Sequence, residues 1–343
     1  MSQDTLSEVL RTVRLQGAVF FYMTGGRRWT AEAPASRDIA RAVMPGAEHV
    51  MEYHVVTRGE CWAGIVGEPP VRLTHGDIIL FPQGDAHVLS SAPGMRADPN
   101  VSWYHQAQLD QLPLRISYDG AKLPTLASPD DPGLTTVACG FLSCDLRPFN
   151  PLIAALPRVL HLPAADGGGA LAHLIERAVA ESQERRAGGE AMLARMSEML
   201  FIDAVRRHIE SLPPEMTGWL AGLRDHFVGR AVALLHEKPA KDWTLEALGR
   251  QVGLSRSPLH ERFVQLVGQP PMQYLTHWRM QLASGLLRNS NRTVGSVALE
   301  VGYASEAAFA RAFKRLVGHP PAAWRALRQP SRHRPGPPRT KSR

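Results

Sequence analysis

The stretch SRSPLHERFVQLVGQPPMQY at residues 255–274 returns fifty residues later as SEAAFARAFKRLVGHPPAAW at residues 305–324. Both copies open with serine, carry bulky apolar residues at spacings of four and three, and share Leu-Val-Gly-x-Pro near their ends. Apolar residues at these spacings share one face of a helix. The repeat therefore predicts two helices of one kind, each with one buried face.

A short helix and a glycine turn precede each copy. Thr244 is suited to cap the short helix of the first copy, after which Gly253 turns the chain, and Gly302 is the turn of the second copy. Glycine takes a positive φ without Cβ strain, so the next helix can cross the preceding one steeply. We expect Ser255 and Ser305 to cap these second helices. The pattern is typical of two helix-turn-helix units.

The second helix of such a unit places its exposed N-terminal side chains in the major groove, where base edges differ in donors and acceptors. Arg256 can donate two hydrogen bonds to guanine and Glu261 can accept from cytosine, whereas alanine contacts only a thymine methyl. The residues best placed for phosphates are Arg262, Lys314 and Arg315. The predicted DNA-contacting residues are Arg256, Ser257, His260, Glu261 and Arg262 in the first unit and Glu306, Ala307, Ala310, Arg311, Lys314 and Arg315 in the second.

The distribution of charge agrees with this interpretation. The 343 residues carry a net charge of +7, but residues 1–226 carry −6, residues 227–329 carry +8 and residues 330–343 carry +5. Basicity confined to the helical end is the electrostatic footprint of nucleic-acid binding. Charge alone does not decide between this function and a solvated helix face.

Residues 227–328 resemble the DNA-binding domain of the AraC/XylS family of bacterial transcription regulators. The resemblance rests on a long helix predicted over Thr276–Leu287 and on Val301-Gly302-Tyr303, Ser305, Phe309, Arg311, Phe313-Lys314-Arg315, Gly318 and Pro321. The first unit departs from the pattern, because Glu261 stands at the position equivalent to Arg311. The resemblance implies a regulator whose partners are double-stranded DNA and RNA polymerase, with an N-terminal domain that senses a small-molecule effector.

Short runs of β-branched and aromatic residues predict an all-β barrel or sandwich in the N-terminal half, with strands at 17–23, 50–56, 61–66, 77–82, 87–91 and 134–142. Together with the family resemblance, which implies a cupin-like barrel, the predicted fold class is a multidomain α+β chain with an N-terminal cupin-like β-barrel, a helical linker and a C-terminal all-α domain with two helix-turn-helix units. Its predicted parts are a sensing domain at 1–165, a linker at 166–216, the DNA-binding domain at 217–329 and a disordered basic tail at 330–343.

The predicted linker has the apolar spacing of two amphipathic helices between residues 170 and 211. Their apolar faces either pack against the barrel of their own chain or form the contact surface of a homodimer. The pattern leaves both interpretations open.

Part of a cupin signature lies in the strand-rich half. Gly76-x5-Pro82-x-Gly84-x2-His87 fits the second cupin motif and Glu52-x6-Gly59 fits the end of the first, but Gly46 and Glu48 replace its His-x-His. Glu52 and His54 are two apart on one strand and so share a face. The predicted effector-binding residues are Glu52, His54 and His87, and the predicted ligands of a zinc or iron ion are His54, His87 and Cys139.

Two alternatives to this site stay open. In the first alternative, His54 and His87 are ordinary hydrogen-bonded barrel residues and Cys139 is a small buried apolar residue. In the second alternative, Cys61 and Cys139 respond to oxidants. Neither cysteine has a Lys or Arg neighbour in sequence to lower its pKa.

Composition excludes several other classes of protein. Three cysteines make a disulfide framework improbable, and no leader or run of 18 apolar residues is present, so we expect a soluble cytoplasmic protein without membrane contact. The favoured function is a sequence-specific transcription regulator without enzymatic activity. The alternatives are a metal-dependent cupin enzyme with an accessory DNA-binding domain, which the missing His-x-His disfavours, and an architectural DNA-binding protein, which two complete reading helices disfavour.

Overall fold

The computed structural model describes residues 4–99, 101–106, 114–120, 124–126, 134–164, 177, 180–181, 187–213 and 215–328. They form a β-rich unit of Leu6–Leu146 and Asn150–Arg224 and a helical unit that begins at Asp225 and includes Arg147–Phe149. The predicted α+β class is confirmed. The units separate at Asp225 rather than at residue 217, because the helix Trp219–Arg224 belongs to the β-rich unit. The tail at 330–343 and most of the first predicted linker helix lie outside the described residues.

One sheet of ten strands forms the described core of the β-rich unit. The strands are β1 (Gln16–Ala33), β2 (His49–Arg58), β3 (Glu60–Ile65), β4 (Val71–Thr74), β5 (Ile78–Phe81), β6 (His87–Ser90), β7 (Leu114–Gly120), β8 (Thr125–Leu126), β9 (Thr135–Cys144) and β10 (Leu160–Leu162). Their order is β10-β5-β2-β9-β1-β6-β3-β4, and β7 pairs with β1 and β8 beside this path. All six predicted strands are present, and β4, β7, β8 and β10 were not predicted.

The long strand β1 curls the sheet. Its first part, Gln16–Gly25, pairs with β9, whereas its last part, Thr30–Ala33, pairs with β6. The region between them has no room for a side chain at Gly25, because a Cβ there would lie 2.3 Å from Nε1 of the buried Trp29. The end strands β10 and β4 are not paired with each other among the described strands. The predicted cupin-like barrel is therefore a curled half-barrel with an apolar interior.

Six helices accompany this sheet in the described residues: α1 (Thr5–Thr12), α2 (Ser36–Val43), α3 (Val101–Gln106), α4 (Pro151–Ala155), α5 (Gly189–Ser211) and α6 (Trp219–Arg224). The second predicted linker helix, α5, packs against β1 so closely that a Cβ at Gly17 would lie 2.6 Å from Ser197 Cβ. The Ser197 hydroxyl also lies 2.6 Å from the Tyr53 hydroxyl. This helix thus packs on its own sheet, and the homodimer contact stays a prediction.

The helical unit consists, in its described residues, of α7 (His226–Glu237), α8 (Leu245–Val252), α9 (Arg256–Val267), α10 (Pro271–Asn289), α11 (Val294–Glu300), α12 (Glu306–Val317) and α13 (Pro321–Arg328). Thr244 and Ser305 cap α8 and α12 as predicted, and Gly253 and Gly302 have φ angles of 84° and 85°. The predicted cap at Ser255 is wrong, because its side chain makes no capping hydrogen bond to α9. No helix in the described residues is long and apolar enough to cross a membrane.

Candidate functional site

The α9 helix of the first helix-turn-helix unit has one buried and one exposed face. Leu259 and Phe263 are fully buried, because their spacing of four puts them on the same side of the helix. The exposed side carries four predicted base-reading residues, namely Arg256, Ser257, His260 and Glu261. Arg256 pairs with Glu246 of α8 at 3.1 Å, but its side chain stays 70% exposed. Such a surface pair is weak enough to exchange for a contact with DNA.

Arg262 differs from the other predicted DNA contacts. Its Nε donates to Asp225 Oδ2 at 2.8 Å, and Asp225 accepts from the Phe227 and Val228 amides at the start of α7. Partial burial acts to raise the pKa of Asp225, but the hydrogen bonds that it accepts, led by the one from Arg262, outweigh burial and lower that pKa. The Arg262 guanidinium thus holds α9 to α7. This structural role was not part of the prediction, which assigned Arg262 only a phosphate contact.

The α12 helix of the second unit repeats the arrangement of α9. Phe309 and Phe313 are fully buried. The opposite side exposes Glu306, Ala307, Arg311, Lys314 and Arg315 and leaves Ala310 half-buried. Among the described residues, no hydrogen bond or ion pair engages the side chain of Arg311 or Lys314. Both cations are therefore available to a polyanion.

The long helix α10 joins the two helix-turn-helix units. Its first turns carry the buried Tyr274 and Trp278, and the Phe263 ring of α9 lies 5.8 Å from the Tyr274 ring. Its last turns contribute Met280 and Leu287 to the core of the second unit. Because one helix is packed into both cores, the separation of α9 and α12 is fixed.

A pocket lies inside the curled sheet of the β-rich unit. Aromatic side chains form much of its wall, namely Phe21, Trp103, Tyr104, Tyr118 and Phe141. The other polar or ionisable residues of the wall are Glu32, Glu52, His54 and Cys139. The pocket contains about 40 Å³ of free space, which is room for about three water-sized groups. A largely apolar wall with a few polar groups is typical of a small-molecule site.

Glu52 is a buried acid of this pocket. Its side chain is 4% exposed, and the Ser36 hydroxyl donates to its Oε1 at 3.0 Å. Burial raises the pKa of Glu52 from 4.5 to about 8, and the hydrogen bond from Ser36 opposes this shift only in part. Glu52 is therefore mostly a neutral acid at pH 7 and can donate a hydrogen bond.

His54 and His87 form a buried pair beside Glu52. Their Nε2 atoms are 2.7 Å apart, and His87 Nδ1 lies 2.9 Å from the carbonyl oxygen of Asp85. Because a carbonyl only accepts, His87 carries its proton on Nδ1, and His54 donates from Nε2 to His87 Nε2. Burial lowers the pKa of His87 to about 4 and also lowers that of His54. Both rings are neutral at pH 7.

The structure brings the three predicted effector-binding residues together. Glu52 and His54 lie on β2, and His87 opens β6, which is separated from β2 by β9 and β1 in the sheet. The curl of the sheet closes this gap, since Glu52 Oε2 is 3.6 Å from His87 Nε2. One ligand atom from each residue lies within 4.8 Å of the other two. Cys139 lines the pocket but, among the described residues, is not a member of this group.

The cysteines Cys61, Cys139 and Cys144 are free and buried. Burial raises the pKa of Cys61 and Cys144 to about 12 and raises that of Cys139 well above its usual range. Little thiolate is present at neutral pH, and the thiolate is the reactive form. These environments disfavour the redox alternative.

Sequence reasoning missed several residues of the pocket. Trp103 and Tyr104 come from α3, a helix of six residues that was not predicted, although two adjacent aromatic residues were an available signal. Ser36 opens α2, and nothing in the sequence connects it with Glu52. Only the fold brings these two side chains into contact.

Comparisons with known proteins agree with the geometry. A family model described as Cupin matches residues 4–210, and one described as a helix-turn-helix domain matches residues 248–327. A Streptomyces lividans protein named as an AraC-like transcription regulator is 31% identical over 94% of this chain and 98% of its own. The HTH-type transcriptional regulator AlkR of Acinetobacter baylyi is 28% identical over 94% of this chain and 99% of its own.

A solved structure is also similar to part of this chain. The DNA-binding domain of AdpA, in complex with a target DNA, is 33% identical and covers 30% of this chain and 92% of its own, with a TM-score of 0.29. Two helix-turn-helix units that follow a cupin-type half-barrel define a DNA-binding regulator of transcription. The chain belongs to the AraC-type transcription regulators.

Proposed function

We propose that this AraC-type regulator reads a specific DNA sequence through α9 and α12 and that a small molecule bound in the pocket of the β-rich unit controls its activity. The observation that supports base reading is the exposed face of α12, where Arg311 and Lys314 have no protein partner among the described residues. Arginine at this place suits a guanine, and lysine suits the phosphates.

The chemistry of the pocket favours an uncharged signal molecule. A charged ligand would lose its hydration against an apolar wall, whereas the neutral acid of Glu52 can donate a hydrogen bond to a hydroxyl or carbonyl oxygen. Burial raises the pKa of Tyr104 and Tyr118, so their hydroxyls also stay protonated. The small free space favours a compact molecule.

Ligand screening of the full-length protein tests this signal. Small alcohols and carbonyl compounds are compared with carboxylates of the same size by thermal unfolding. Uncharged compounds should raise the Tm, and Tyr118→Phe should reduce this effect because it removes a hydroxyl from the pocket. The matched control is Tyr22→Phe, since Tyr22 is not part of the pocket wall. A larger Tm increase with carboxylates than with uncharged compounds would contradict the proposal. So would a Tm increase in Tyr118→Phe as large as that of the wild type with every ligand.

Selection of binding sites from random duplexes tests the DNA half. The selected sequence should show two separate blocks of base preference, one for each reading helix. Binding without any base preference would support the architectural alternative instead. Footprinting with and without a stabilising ligand then shows whether the pocket controls DNA binding.

RNA polymerase and a second copy of the chain are further proposed partners. The family resemblance is the support for the polymerase, which in vitro transcription with purified enzyme tests. The support for a homodimer is the outer side of α5, where Met192 and Met199 are 44% and 51% exposed, and sedimentation measures it. The enzyme alternative has less support, because the relatives described above are named as regulators.

A further inference from the structure

We propose that Glu52, His54 and His87 bind one divalent transition-metal ion such as Zn²⁺ on the inner wall of the curled sheet. The proposal goes beyond DNA binding and does not depend on an organic effector. It rests on the geometry of three buried side chains and on the hydrogen bonds that orient them.

The spacing of the three side chains is close to that of a metal site. Tetrahedral bonds of 2.0–2.1 Å place neighbouring ligand atoms about 3.3 Å apart. Glu52 Oε2 and His87 Nε2 are 3.6 Å apart, near this value without any movement. The Nε2 atoms of His54 and His87 are 2.7 Å apart, so a small opening of the pair, about 0.6 Å, would admit the ion.

The hydrogen bonds around the group orient it as in metal sites, where ligands are held by partners behind them. His87 Nδ1 donates to the Asp85 carbonyl, which directs the lone pair of Nε2 at the group. Ser36 holds Oε1 of Glu52 and leaves Oε2 to face His87. A metal at His54 Nε2 would require the ring proton to move to Nδ1, which has no partner among the described residues. Glu52 would release its acid proton to become a carboxylate ligand.

The three ligands indicate which ion the site would bind and on which side its fourth coordination position would be free. Two imidazoles and a carboxylate suit Zn²⁺ or Fe²⁺. Glu52 and His54 also line the pocket, so a fourth ligand, either water or an oxygen atom of a small molecule, would enter from that side. The set differs from the predicted one, since Glu52 takes the place that the sequence reading assigned to Cys139.

Metal titration of the full-length protein tests the site. The protein is stripped with a chelator, and bound Zn²⁺ is measured by elemental analysis and by competition with a chromogenic chelator. One equivalent should bind to the wild type and be lost in His87→Gln and Glu52→Gln. The matched control is His161→Gln, because His161 also faces a carboxylate, with its Nε2 3.6 Å from Asp77 Oδ2. This control should keep the full equivalent.

A second variant keeps the test decisive if the ligand variants do not fold. Ser36→Ala retains all three ligands and removes only an orienting hydrogen bond, so it should weaken Zn²⁺ binding about 10–100-fold. Bound Co²⁺ should show visible bands without a thiolate charge-transfer band. The proposal is overturned if the wild type binds no equivalent of metal, if Ser36→Ala binds as tightly as the wild type, if His161→Gln loses the ion, or if a thiolate band appears. DNA binding measured on the same samples distinguishes this failure from failure of the proposed regulatory function.

Discussion

Comparing Arg262→Ala with Arg311→Ala distinguishes an arginine that stabilises the fold from one that contacts DNA. Arg262 and Arg311 both lie on reading helices and both were predicted to contact DNA. Arg262 is paired with Asp225, whereas Arg311 has no partner among the described residues. We therefore expect Arg262→Ala to affect folding and Arg311→Ala to affect sequence recognition.

The magnitude follows from the exposure of the ion pair. The Arg262 side chain is 50% exposed and that of Asp225 is 11% exposed, so solvent screens much of the attraction. Exposed pairs contribute roughly 0.2–1 kcal/mol, and we place this one near the upper end, at about 1 kcal/mol. Asp225→Ala also removes the cap of α7, which adds roughly 0.5–2 kcal/mol. The two substitutions should therefore couple by about 1 kcal/mol in a double-mutant cycle.

Urea unfolding of the full-length protein measures the cycle, and fluorescence anisotropy measures DNA affinity against salt concentration. A phosphate contact contributes about one unit to the salt slope. Arg262→Ala should leave this slope unchanged. A slope lower by about one unit, together with unchanged unfolding, would show that Arg262 exchanges Asp225 for a phosphate and would refute the structural assignment.

Arg311, Glu52 and Gly25 each allow a further test. Arg311→Ala should lower discrimination between specific and random duplexes by roughly 1–3 kcal/mol, whereas Lys314→Ala should weaken binding to both alike, as competition binding will show. In chelator-treated protein the free energy of unfolding should fall by up to about 2 kcal/mol between pH 6.5 and 8, because folded Glu52, with a pKa of about 8, keeps a proton that the unfolded chain has lost. Urea titrations should show this fall as a difference from Glu52→Gln, because the unfolded histidines, whose usual pKa is about 6.5, lose protons in the same window in both proteins. Gly25→Ala should lower the free energy of unfolding by roughly 1–3 kcal/mol, because the added Cβ overpacks a buried indole, and thermal unfolding should show the lower Tm. Gly26→Ala, where the added Cβ meets nothing, should leave the Tm unchanged.

Local sequence pattern was enough to predict the helices and strands whose apolar residues recur at a clear helical or strand spacing. The internal repeat predicted α9 and α12, and their apolar faces are buried as expected. The strand runs around Glu52 and His87 were also correct. Strands β8 and β10 were missed because they have only two and three residues, too few for a period of two to be recognised. Helices α2 and α3 were missed because they are short and lie between strands.

The sequence could predict which site residues share a strand face, but not the contacts between residues that are far apart in sequence. A period of two places Glu52 and His54 on the same face of β2 without knowledge of the sheet. Their contact with His87 depends on the curl of β1. Local pattern predicts only seven residues of this strand, at 17–23, whereas the strand has 18. The same limit explains Cys139, which pairs with His54 across β2 and β9 and yet lies outside the three-residue group.

The shared helix α10 limits how the protein can read DNA. Its 19 residues span about 28 Å at 1.5 Å per residue, close to the roughly 34 Å of one turn of duplex. Because α10 is packed into both helix-turn-helix cores, the second unit cannot choose its groove independently of the first. Glu261 stands where the second unit has Arg311, so the two helices offer different chemistry at a fixed offset. We therefore expect an asymmetric site with two blocks of base preference centred about one turn apart, in which the bases themselves define the orientation of the protein on DNA.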